Sequence, residues 1–162
     1  MTSRRIIIYG NAGAGKTTLA RQLQQQYDLP RLVLDSIAWG PEWGKRRPLA
    51  ASIAELRHFI NTHEAWIIEG CYGDLIEAAL PDCTDLRFVN PGIDVCVANC
   101  RMRHSDWEQH QRPEDERGPL DELLPWVRDY EQRDDELSLT NHREIFARFW
   151  GPKTEYTSLP AL

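Results

Sequence analysis

Gly10-Asn11-Ala12-Gly13-Ala14-Gly15-Lys16-Thr17 is the stretch whose reading decides the fold. Its spacing is G-x-x-x-x-G-K-[ST], the signature of a loop that cradles phosphates. Such a loop needs a strand before it and a helix after it. Arg5-Ile6-Ile7-Ile8-Tyr9 is a short, apolar, β-branched run that reads as a buried strand. Thr18-Leu19-Ala20-Arg21-Gln22-Leu23 is helix-forming, with Leu19 and Leu23 one turn apart. The glycines let the backbone curl until several N–H groups point into one concavity, and the helix N-terminus adds its partial positive charge there. Lys16 is the residue type that reaches β- and γ-phosphates, and a Thr17 hydroxyl can bind Mg²⁺. Gly10, Asn11, Ala12, Gly13, Ala14, Gly15, Lys16, Thr17 and Thr18 therefore form the expected nucleotide-phosphate site, with Thr18 as an extra donor.

Outward from that loop, Asp28-Leu29-Pro30 breaks the helix and 31–34 reads as a second strand ending in Asp35. Strand, helix and strand at this spacing make a βαβ unit, so the sheet is expected to be parallel. Ligands of such sheets bind at the carboxyl ends of the strands. Asp35 sits at one such end and Glu69 at another, after the apolar strand 65–69. Residues 84–89 and 153–159 read as the remaining strands. Helices are expected over 49–61, with Ile53, Leu56 and Ile60 on one face, and from 93 to about 104. Two more are expected over 120–137 and 141–150, the first tolerating Pro125 and the second capped by Asn141.

Two segments lack apolar periodicity. Residues 36–48 contain Trp39, Trp43, Gly and Pro, and the adjacent cations Lys45, Arg46 and Arg47. They read as a loop over the site, with cations that could meet an anionic acceptor group or simply form a solvated basic turn. Residues 105–119 are polar and highly charged, which fits a lid or a solvated linker.

Composition excludes several classes. At 162 residues the chain is expected to be one domain with a substantial core. A net charge of −6 and a pI near 5.4 argue against broad electrostatic binding of nucleic acid. No apolar run approaches a membrane span or a signal core, so a cytoplasmic location is expected. Cys71, Cys83, Cys96 and Cys100 form no C-x-x-C pair. The one-turn spacing of Cys96 and Cys100 could hold metal, but small core thiols in a reducing compartment are the preferred reading.

Together these features suggest phosphoryl transfer, which needs positioning and charge neutralisation more than covalent chemistry. Lys16 would neutralise phosphate oxygens, and Asp35 would accept a hydroxyl proton or order a water on Mg²⁺. Glu69 resembles a Walker-B acid, so Thr17, Asp35 and Glu69 are the expected metal-side residues. Arg101, Arg103 and Arg112, at or in the lid, are candidates to close on the transferring group. Each of the arginines could instead serve a helix C-terminus or the solvent.

The sequence resembles the adenylate kinase-like P-loop group, and more closely the DNA topology modulation (FlaR-related) proteins. The matching stretches are Ile6 through Thr18, Leu34-Asp35 with the Trp39 and Trp43 loop, and Trp66-Ile67-Ile68-Glu69-Gly70-Cys71-Tyr72-Gly73. The resemblance weakens past Val89. It implies a P-loop NTPase α/β three-layer sandwich, adenylate/shikimate kinase-like, with a parallel five-stranded sheet ordered 2-3-1-4-5. It also implies an acceptor-binding segment near 36–61, a lid near 105–119, ATP and Mg²⁺ as donor and ion, and a small-molecule or nucleotide acceptor. A nucleotide-dependent regulator with a macromolecular partner is the alternative. Arg101 and Arg103 depart from the group's pattern of arginines a helical turn apart. Residues two apart do not share a helix face, so both can serve one phosphate only where the helix has ended.

Overall fold

In a computed structural model, residues 2–42, 44–110 and 120–158 are described, with only the backbone given for 104–110. Trp43 and Arg112 lie outside the described residues. Strand β1 (Arg5–Gly10) is the centre of a five-stranded sheet. It pairs in parallel with β3 (Trp66–Gly70) on one side and β4 (Asp85–Val89) on the other, placing Ile7 beside Ile68 and Leu86. Strands β2 (Arg31–Val33) and β5 (Lys153–Tyr156) complete the edges, also parallel, giving the order β2-β3-β1-β4-β5.

Alternation along β1 divides the core in two. Ile6 and Ile8 face one layer with Ile67 and Val89, covered by helices α1 (Lys16–Tyr27), α5 (Ile93–His110) and α6 (Leu120–Arg128). Ile7 and Tyr9 face the other with Trp66, Ile68 and Phe88. Helices α2 (Asp35–Ala38), α3 (Leu49–Thr62), α4 (Gly73–Ala79) and α7 (Leu139–Arg148) cover that side. A sheet covered on both faces explains why β1 and β3 read as continuous apolar runs.

Four expectations change. The second strand stops at Val33, and Asp35 opens a short helix because Ile37 and Ala38 both donate to the Leu34 carbonyl. The helix expected over 120–137 ends at Arg128, followed by a 3-10 turn at Asp129–Glu131. The cap of α7 is Ser138, whose hydroxyl accepts from the Asn141 N–H at 3.1 Å; Asn141 receives the cap rather than supplying it. Helix α5 also runs six residues past the expected end, so 105–110 of the expected lid are helical backbone.

A buried polar knot joins α7 to the end of β3. The His142 ring is fully buried and lies 2.8 Å from the Cys71 carbonyl through Nε2 and 2.6 Å from the Tyr130 hydroxyl through Nδ1. A carbonyl can only accept, so Nε2 carries the proton and Nδ1 accepts from Tyr130. Burial pushes the imidazole from 6.5 down to about 4. The unfolded chain therefore binds an extra proton between those values, and the contribution is complete above pH 6.5 and lost as pH falls toward 4. We expect chemical denaturation to lose about 2 kcal/mol more between pH 7.5 and pH 5 in the wild-type chain than in His142→Gln. Equal losses in the two proteins would contradict this.

Candidate active site

The phosphate loop is held from below and from the side. Asn11 is buried; its Nδ2 donates to the Val127 carbonyl at 3.2 Å and its Oδ1 accepts from the Ala12 N–H at 2.9 Å. Asn99 Nδ2 on α5 donates to the Gly13 carbonyl at 2.7 Å. Gly13 has φ +77°, and a Cβ there would stand 2.4 Å from the Cys96 carbonyl oxygen. Only glycine meets both demands. Gly13→Ala is expected to cost roughly 2–4 kcal/mol, read as a Tm lower by about 5–15 °C.

Cys96 and Cys100 are buried in this packing against the loop, and burial pushes the Cys96 thiol up to about 11. Among the described residues no cluster of three or more His, Cys, Asp or Glu side chains could hold a metal.

Above the loop lies a cavity of about 270 Å³. Ala12, Gly13, Gly15, Lys16 and Thr17 line it, with Asp35, Glu69 and Arg103. Lys16 Nζ donates to the Asn11 carbonyl at 2.6 Å, curled back over its own loop. Glu69 is 2% exposed, and a carboxylate so buried needs partners. It accepts from Thr17 Oγ1 at 2.9 Å and pairs with Arg31 at 3.5 Å.

Asp35 accepts a short hydrogen bond from the Tyr72 hydroxyl. Tyr72 is 2% exposed, and its burial holds the phenol well above the usual range, so it stays protonated and donates. Trp39 meets the Tyr72 ring edge-on at 6.2 Å, and the Arg46 guanidinium lies 4.8 Å from the ring's centre.

The expected residues thus fall into three groups. Lys16, Thr17, Asp35, Glu69 and Arg103 share one cavity. Gly10, Asn11 and Ala14 are buried beneath the loop and shape it, while Thr18 is exposed and outside the cavity lining. Arg101 and Arg103 lie two apart on α5, which has not ended there, and only Arg103 lines the cavity. Sequence reasoning missed Tyr72, Trp126, Leu123, Glu122 and Asn99. Tyr72 carried the one available signal, since it follows the Glu69 strand end by three residues.

No family model matches the chain, and no curated protein matches it. Solved structures do. The shikimate kinase of Bacteroides thetaiotaomicron superposes with a TM-score of 0.64 at 18% identity, covering 98% of this chain and 89% of that one. A "putative kinase" from Chloroflexus aurantiacus gives 0.58 at 24% identity, covering 96% and 88%. The gluconokinase of Sinorhizobium meliloti gives 0.50 at 16% identity, covering 91% and 98%. The strand order and the loop between β1 and α1 make this the fold of the P-loop kinases. Among the described residues, no helix is long and apolar enough to cross a membrane.

Proposed function

We propose that this chain is an ATP-dependent phosphotransferase acting on a small hydroxyl-bearing acceptor. One observation carries the reading: a single cavity is lined both by the phosphate loop with Lys16 and Thr17 and by Asp35, a carboxylate held by a buried tyrosine. The phosphate loop binds the donor through backbone N–H groups and the start of α1. The bond from the γ-phosphorus to the β–γ bridging oxygen breaks as a bond to the acceptor oxygen forms. ADP leaves, and the acceptor proton passes to Asp35 and on to water. Lys16 and Arg103 neutralise charge on the transferring group.

The oxygens of Thr17 and Glu69, 2.9 Å apart at the cavity, suit a hard cation. Thr17, Glu69 and Asp35 are the residues that would hold Mg²⁺, which when bound supplies charge neutralisation on phosphate oxygens. Segment 36–61 is proposed to meet the acceptor, and Arg112 belongs to the proposed lid. The finer likeness to DNA topology modulation proteins supports a regulator only if acceptors fail. The test is ADP release from Mg-ATP, alone and with nucleosides, nucleotides, sugars and hydroxy acids. Stimulation by one acceptor is expected; a flat response with ATP demonstrably bound overturns the reading.

A further inference from the structure

A turn-back that pairs residues 39–40 with residues 45–46 lies beside the cavity, with Trp39 bridged to Arg46 and Gly40 donating to the Lys45 carbonyl at 2.9 Å. It brings three consecutive cations to the acceptor side, the feature that would suit a carboxylated or phosphorylated acceptor. Each of them is held by carboxylates of this chain. Lys45 pairs with Glu42 at 2.9 Å and Arg47 with Glu55 at 2.5 Å. Arg46, the least exposed of the three, stands 3.2 Å from both Asp74 and Glu136. Arg133, near the same wall, lies 4.1 Å from the centre of the Trp126 ring and donates to the Leu137 carbonyl at 3.3 Å.

Among the described residues, the cations that line the cavity are Lys16 and Arg103, the two assigned above to the transferring group. The rest of the wall includes the aromatic side chains of Trp39, Tyr72 and Trp126, with Asp35, Glu69 and Glu122 as its carboxylates. Among the described residues, an anionic acceptor group against that wall would lose its hydration without gaining a further cation, and would meet like charge from Asp35. Aromatic walls instead favour flat ring faces, and their hydroxyl and indole edges tolerate polar rims.

We infer that the acceptor is an uncharged compound with a flat or apolar ring face and a free hydroxyl, of nucleoside or neutral-sugar type. The inference rests on the phosphotransferase reading above and narrows it. It separates this chain from any acceptor recognised through a carboxylate or a phosphate, because the cations that line the described cavity are the two assigned to the transferring group.

The test uses the full chain with Mg-ATP and three acceptor sets: neutral nucleosides and sugars, their monophosphates, and hydroxy acids. ATP binding is followed separately by calorimetry. We expect one neutral compound to exceed its phosphorylated or carboxylated counterpart in kcat/KM by roughly tenfold or more. Whether that compound is a nucleoside or a sugar identifies the source of the ring. Trp39→Leu and Trp126→Leu should each raise the acceptor KM several-fold with the ATP KM unchanged, and Trp39→Tyr should restore much of it. Greater turnover with a monophosphate or hydroxy acid overturns this inference alone. ATP bound without stimulation by any set overturns the phosphotransferase reading, and this inference with it.

Discussion

Lys16→Ala is expected to lower acceptor-stimulated ADP release by a factor on the order of 10²–10³, with the unfolding midpoint nearly unchanged. The lysine is half-buried, and its hydrogen bond to the Asn11 carbonyl spans only five residues of the same loop. A bond of that kind contributes about 1 kcal/mol to the fold. Its chemical contribution is larger, because an ammonium at the transferring phosphoryl acts where charge develops in a site partly closed to water. Asn11 stays pinned to Val127 and Gly13 to Asn99 without the lysine, so the loop should keep its shape. Steady-state ADP release beside thermal unfolding separates the two effects. A variant that keeps more than a tenth of wild-type turnover would remove Lys16 from the chemistry.

Asp35→Asn should lower kcat by roughly 10²–10⁴, since the amide still accepts from Tyr72 yet cannot take a proton. Tyr72→Phe should lower it less, by about ten- to a hundredfold, because it removes only the donor that orients the carboxylate. Tyr72 is a positioning residue in this scheme, and its effect should pass through Asp35. In an Asp35→Asn background, Tyr72→Phe is therefore expected to change kcat by less than about threefold. Independent, multiplying effects would show that Tyr72 acts on the acceptor directly. The KM for ATP should stay put in Tyr72→Phe, because Tyr72 belongs neither to the phosphate loop nor to the residues that would hold Mg²⁺.

The central βαβ unit is legible in the sequence because motif, periodicity and breakers agree from Arg5 to Pro30. Glu69 is legible as an acid at a strand end. Its hydrogen bond to Thr17 is not, since 52 residues separate them and only the pairing of β1 with β3 brings them together. The arginines illustrate a different limit. Spacing alone says that Arg101 and Arg103 diverge on a helix; where the helix ends had to come from the fold. Composition likewise suggests an irregular segment from 105, whereas polar residues also form helix, as α5 does to His110. The cap of α7 was misread because Ser138 and Asn141 are both capping types three positions apart, and only the hydrogen bond distinguishes them. Arg46 is ambiguous in the sequence for a further reason: its carboxylate partners, Asp74 and Glu136, are distant along the chain.

The bond from His142 to the Cys71 carbonyl bears on how the chain is made. Synthesis runs from N- to C-terminus, so the phosphate loop emerges well before helices α6 and α7. The cavity wall at Trp126 and Leu137, the His142 ring and the β5 edge strand all arrive long after it. A nascent chain thus displays the whole loop motif long before it has a chamber to close around phosphates. Its capacity to retain nucleotide should appear abruptly, once the chain has passed Trp126, Leu137 and His142, rather than with the motif itself.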